Sequence, residues 1–196
     1  GSKVYLANSL SFLNYRLDMF LIAIILNPVS VGLYSIAVGI SEKLLIVPGA
    51  LSTVLFPKVS YSSVAEANDL TARISRHVLF IMIIISVLLV TVASPLVTIF
   101  FGMAFLPSVM PLIVLLPGMI AFSIGSVIAA DLSGRGKPQF AVYSSLASLL
   151  VNIILNIFFI PKWGITGAAL ASSISYWVDT LIVLFAFLVI SKNSLT

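Results

Sequence analysis

The 196-residue chain is 61% apolar and only 8% charged, with a mean hydropathy of +1.23 and a net charge of +4. That composition excludes an ordinary soluble domain and describes an integral membrane protein. With no cysteine and one histidine, His77, the chain has no means of forming a disulfide, a thiolate metal site, or a zinc or haem centre, and no cofactor is expected. It opens Gly-Ser with neither an initiator methionine nor a signal-peptide pattern, as expected of a piece of something longer.

A spanning helix needs about 20 apolar residues. Six runs reach that length, at roughly 4–26, 29–56, 78–101, 107–130, 139–160 and 165–191, and together they make residues 1–196 a single all-α transmembrane bundle. The connections "NPVSVG", "FGMAFLPS", "SGRGKP" and "IPKWG" carry the proline and glycine that stop helices at the bilayer edge. The longer connection, 57–77, holds Ser63 and Glu66 in capping-box spacing, followed by Leu70, Arg73, Ile74 and Arg76, and reads as a short helix on the membrane surface.

The first run contains "LNYRLDMF", with Arg16 and Asp18 at its middle. A charge at the centre of a spanning helix costs on the order of 3 kcal/mol on insertion scales, so such residues serve a purpose. Two positions apart on a helix is about 200°, so Arg16 and Asp18 point away from each other. Asp18 shares its face with Asn8, Ser11, Asn14 and Tyr15; Arg16 stands between Phe12 and Phe20.

In the second run, Gly32, Ser35, Gly39, Glu42, Gly49 and Thr53 fall on one face, with Glu42 and Lys43 near mid-depth and Pro48 beyond them. Charge and kink occurring together mark places where protein groups or cavity water satisfy a broken backbone. The third run carries no charge and reads as lipid-facing. The fifth aligns Ser145, Ser148, Asn152 and Asn156, and the sixth aligns Gly167, Ala171, Ser175 and Asp179. Polar and small residues at this spacing glue spanning helices together.

Lysine and arginine in short loops stay on the cytoplasmic side. Lys3, Lys58, Arg73, Arg76, Arg135, Lys137 and Lys192 fall on one side and Lys162 on the other, so both termini are expected in the cytoplasm. This asymmetry explains the net charge without a nucleic-acid partner, and "GRGKP" lacks the spacing of a phosphate-cradling loop.

"LNYRLDMFLIAIILNPVSVGLYSIAVGISEKLLIVPGALSTVLFPKVS" resembles the seventh and eighth spanning helices of bacterial polysaccharide flippases, within the multidrug/oligosaccharidyl-lipid/polysaccharide exporter superfamily. "VNIILNIFFIPKWGITGAALASSISY" resembles that superfamily's eleventh and twelfth helices, with Asn152, Asn156, Pro161, Gly164, Gly167, Ala168, Ala169, Ala171 and Tyr176 in place. The resemblance implies the carboxy-terminal bundle of a two-bundle transporter in the bacterial cytoplasmic membrane, whose missing amino-terminal bundle is its partner across a midplane cavity. The implied cargo is a lipid-linked oligosaccharide on undecaprenyl-(pyro)phosphate. Arg16, and with it Lys43, matches cavity-lining positions where cations meet phosphate. Asp18, Glu42 and Asp179 are the candidates for ion coupling or charge pairing; Asn14, Asn152 and Asn156 are polar cavity or packing residues.

Three other functions fit less of the chain. A cation-coupled multidrug antiporter of the same superfamily would line its cavity with acids and aromatics, and a flippase of lipid-linked peptidoglycan precursors would share the second motif. A membrane-embedded glycosyl- or acyltransferase would need a clustered catalytic set, whereas the acids here are scattered over different helices.

Overall fold

The computed structural model describes residues 17–193, and among these there is no β-strand. Arg16 and Asn14, expected in the site, lie outside the described residues. Helix α1 covers residues 17–25 and ends before Asn27, whose side chain accepts from the Ser30 backbone N–H at 2.8 Å and so caps α2, Pro28–Glu42. Proline at the first helical position needs no hydrogen bond there. A 3₁₀ turn, Lys43–Leu45, leads directly into α3, Ile46–Tyr61. Pro48 explains the change of winding: its ring has no N–H to give the Leu44 carbonyl, so the preceding turn tightens.

The expected surface helix and third span prove to be one element. The capping box forms, with the Ser63 backbone N–H donating to Glu66 Oε2 at 3.0 Å and the Glu66 N–H to Ser63 Oγ at 3.4 Å, and α4 then runs unbroken over Val64–Phe101. No glycine lies within it and its proline is Pro95, so nothing stops the helix near His77. Thirty-eight residues make a rod of about 57 Å, against about 30 Å of hydrocarbon, so the charged first turns project beyond the bilayer. Val78, Met82, Ser86, Leu89, Ala93 and Val97 form its buried stripe, while Phe80, Ile84, Val87 and Leu88 face outward to lipid.

After a 3₁₀ segment, Met103–Ser108, α5 covers Val109–Gly134 and is the central strut, touching α2, α3, α4 and α6. The last helix, α6, covers Gln139–Asn193, but Gly164 at φ 58°, ψ −139° breaks it into two arms, 139–163 and 165–193. That backbone conformation suits glycine alone. The arms fold back antiparallel: Ser148 Oγ donates to the Ser175 carbonyl at 2.8 Å, Asn152 Nδ2 reaches Ser172 Oγ at 3.2 Å, and a Cβ on Gly167 would lie 2.3 Å from the Phe159 carbonyl oxygen.

Among the described residues, four stretches are long and apolar enough to cross a membrane: Pro28–Tyr61, Val64–Phe101, Met103–Gly134 and Gln139–Ser191. The expected six are not counted this way, because the last stretch contains both arms of α6 and the run 4–26 lies mostly outside the described residues. One end of the bundle brings together Ser60 with the Gly134 carbonyl and Asn68 with Arg135; at the other, Gly164 lies against Leu26. Lys58, Arg73, Arg135 and Lys137 therefore belong to one end and Lys162 to the opposite one.

Candidate functional site

The chain has only six acidic residues, and three of them, Asp18, Asp131 and Asp179, are buried. A carboxylate in an apolar bundle must be paired, hydrogen-bonded or protonated, so each environment identifies a task.

Asp18 is 1% exposed and is held by three elements besides its own helix. From α2, Tyr34 Oη donates to Asp18 Oδ2 at 2.8 Å; from the first arm of α6, Asn156 Nδ2 donates to Oδ1 at 2.8 Å; from the second arm, the Ser172 hydroxyl donates to Oδ2. Behind this shell Asn156 Nδ2 also meets Asn152 Oδ1 at 2.9 Å, and Asn152 Nδ2 meets Ser172 Oγ. The Asn156 carbonyl oxygen is buried with no partner among the described residues. Every donor to Asp18 is neutral, and no salt bridge reaches it among the described residues. The hub thus offers a carboxylate and an amide oxygen, gathered from different helices.

Asp18, Asn152 and Asn156, singled out separately in the sequence, come together here. Tyr34 and Ser172 were missed. On α2 the face that packs within the described bundle is Tyr34, Ala37, Val38 and Ser41, which are buried, whereas Gly32 and Gly39 on the polar face have open space where a Cβ would stand. The signal was present, since those four also recur at 3.6-residue spacing with a bulkier surface to bury. Glu42 is half-buried and Lys43 exposed, and neither side chain forms a hydrogen bond or ion pair among the described residues. Lys43 instead borders an apolar recess of about 600 Å³ between α2 and α4, lined by Gly39, Leu89, Leu96 and Phe101.

Asp131 was not singled out, and Arg135 was read only as a loop cation. The structure makes them a clamp. Arg135 Nε and Nη2 donate to the two Asp131 oxygens at 2.7 and 2.9 Å, Thr71 Oγ1 donates to Oδ1 at 2.8 Å, and Arg135 Nη2 also reaches Asn68 Oδ1. The guanidinium lies 5.4 Å from the Phe187 ring centre, a cation–π contact. All of Asp131's charge is answered, which suits a joint between α4, α5 and α6 rather than a binding site.

Asp179 sits on the second arm of α6 at the edge of a cavity of about 360 Å³ between α3, α5 and α6. Its Oδ1 has no partner among the described residues. It is far from Asp18 along the bundle: Asn156 and Ser172 lie toward the Gly164 hairpin, and the Asp179 cavity reaches Ser133 and Ala141 at the other end.

A family model described as lipid II flippase MurJ matches residues 3–193. Among curated proteins, the chain is 28% identical over 170 residues to the "Probable low-salt glycan biosynthesis flippase Agl15" of Haloferax volcanii, covering 85% of this chain and 36% of that protein. It is 27% identical over 164 residues to the lipid II flippase MurJ of Bacillus subtilis, covering 78% of this chain and 30% of that one. A solved structure of lipid II flippase MurJ in an inward closed conformation superposes with a TM-score of 0.83 at 25% identity, over 96% of this chain and 44% of that one. The chain therefore spans less than half the length of each of these relatives, and the resemblance to lipid-linked glycan flippases read in its motifs is met in both sequence and fold. The match over nearly its whole length places this chain in the lipid II flippase MurJ family.

Proposed function

We propose that the chain is one six-span bundle, the carboxy-terminal one, of a transporter that moves an undecaprenyl-(pyro)phosphate-linked oligosaccharide across the bacterial cytoplasmic membrane, with no bond made or broken. The six spans would be residues 4–26, α2 with α3, α4, α5 and the two arms of α6. The observation that carries the reading is the Asp18 hub. A buried carboxylate on α1 whose donors among the described residues are all neutral, tied to α2 and both arms of α6, is poised to take a coupling cation or proton and to change helix packing when it does. Arg16 and Lys43 would meet the phosphate of the cargo, and the open small-residue face of α2 would turn to the cavity shared with a second bundle. The basic end would be cytoplasmic, together with both termini. Cysteines at Ser63 and Lys137 should then resist an impermeant thiol reagent added outside, while one at Ser30 reacts; the reverse pattern defeats this orientation.

A second reading, a lipid-linked peptidoglycan precursor as cargo, is favoured by the family model and by the Bacillus subtilis relative. Reconstituted vesicles given either a polyprenyl-diphosphate oligosaccharide or a lipid-linked disaccharide-peptide separate the two by which one changes leaflet. In the same assay Arg16→Ala should abolish movement at normal protein yield and Arg16→Lys should leave part of it, because the planar fork is lost but the charge stays. Full movement by Arg16→Ala removes Arg16 from the phosphate site.

A further inference from the structure

The Asp18 hub leaves Asp179 unexplained. This carboxylate is 6% exposed, its Oδ1 is unpartnered among the described residues, and it faces the cavity between α3, α5 and α6. It is held there firmly. The adjacent Thr180 donates its hydroxyl to the Ala121 carbonyl at 2.8 Å, and a Cβ on Gly125 would stand 2.7 Å from Thr180 Oγ1, so α5 and the second arm of α6 touch closely beside it.

Hydroxyls share the cavity wall with Gly49, Phe56, Phe122 and three alanines. Ser52, Thr53, Ser126, Ser133, Ser144 and Ser145 line it, and no lysine, arginine or histidine does. Two of these hydroxyls spend their proton on a backbone carbonyl, Thr53 on Gly49 at 2.9 Å and Ser126 on Ser123 at 2.9 Å, while Ser144, 3.1 Å from the Ala141 carbonyl, also hydrogen-bonds the Asp179 carboxylate. What Thr53 and Ser126 turn to the cavity is therefore lone pairs. Ser52 Oγ is a second buried polar atom there with no partner among the described residues. Acceptor oxygens beside one negative charge repel anions and suit a guest that is a cation.

We propose that Asp179 and these hydroxyls form a cation site for a hydrated sodium ion, separate from the Asp18 hub. Hard oxygen ligands select alkali and alkaline-earth ions, and a single carboxylate balances one positive charge, whereas divalent sites draw on more carboxylates. The cavity, at about 360 Å³, has room for the ion with part of its water, each water taking about 30 Å³. Its position indicates the route of entry. Ser133 and Ala141 border the turn that joins α5 to α6, at the basic end of the bundle, and Ser144 lies about 8 Å into α6 at 1.5 Å per residue. Asn156, which marks the level of Asp18, is about 18 Å further along the same arm. Binding at Asp179 does not depend on the transport reading; only a coupling of that binding to cargo movement would.

Radioactive sodium binding to the purified protein tests the site, in wild type, Asp179→Asn, Asp18→Asn, Thr53→Val and Ser126→Ala. Asp179→Asn should lose a saturable sodium component that Asp18→Asn keeps, and Thr53→Val and Ser126→Ala should each weaken it roughly tenfold, as expected for altered oxygens around a bound ion. Wild-type sodium binding by folded Asp179→Asn overturns the proposal. Should that variant not fold, unchanged affinity in both hydroxyl variants overturns it equally. Loss in Asp18→Asn alone sinks the Asp179 site while leaving the hub standing, and loss in Asp179→Asn alone supports the Asp179 site and leaves the hub to a proton rather than sodium.

Discussion

Asp131 and Asp18 are 0% and 1% exposed, lie in the same bundle and each accept hydrogen bonds on both oxygens, yet the company they keep differs in charge. Asp131 is gripped by a guanidinium one turn away on its own helix, with Thr71 joining from α4. Asp18 has a phenol, an alcohol and an amide, drawn from three other stretches of chain. Neutral donors satisfy a carboxylate's lone pairs without cancelling its charge. The clamp is therefore complete as it stands, whereas the hub retains an affinity for a positive charge, which is what a coupling site requires.

That contrast makes the clamp the more fragile to mutation. Arg135→Ala should strip the counter-charge from a sealed carboxylate and cost about 3–5 kcal/mol, read as a lowered midpoint of thermal unfolding in detergent. Replacing both members by leucine should recover much of the loss, since a well-packed apolar pair often replaces a buried ion pair at little cost. If Arg135→Ala unfolds like wild type, Asp131 is not the closed structural joint described here.

Asp18→Asn should behave differently. It removes charge but keeps size and one acceptor, so a loss of only about 1–2 kcal/mol is expected from disturbed hydrogen bonds, alongside complete loss of ion-dependent transport. Activity falling only in step with the amount of folded protein would make the hub structural like the clamp.

The smallest effect should come from Tyr34→Phe. Removing one neutral donor leaves Asp18 its bonds from Asn156 and Ser172, so about 1 kcal/mol of stability is expected to go, with a change in the ion concentration needed for half-maximal transport. An unchanged ion dependence would place Tyr34 outside the coupling site.

Much of this was legible locally. The Ser63–Glu66 capping box, the Asn27-Pro28 helix start and the Gly164 break are written in adjacent residues, because caps and positive φ depend on neighbours in the chain. The membrane class follows from composition alone. Which face of α2 packs was less legible, for an equally physical reason. Glycine and serine at 3.6-residue spacing signal close packing only if another helix comes near, and among the described residues none fills the space at Gly32 and Gly39.

The sequence by itself determined that this is a membrane protein of apolar helices, where those helices are capped or broken, and which few polar side chains needed explaining. Tertiary structure alone decided how those side chains are grouped. Asp18 meets Ser172 across 154 positions of chain and Asn156 across 138, Thr71 meets Asp131 across 60, and Asp179 keeps one oxygen without a partner among the described residues. Helix periodicity states which residues share a face, but the partner of a face is chosen by the packing of the whole bundle. Only that packing separates a neutralised carboxylate from one still able to hold a cation.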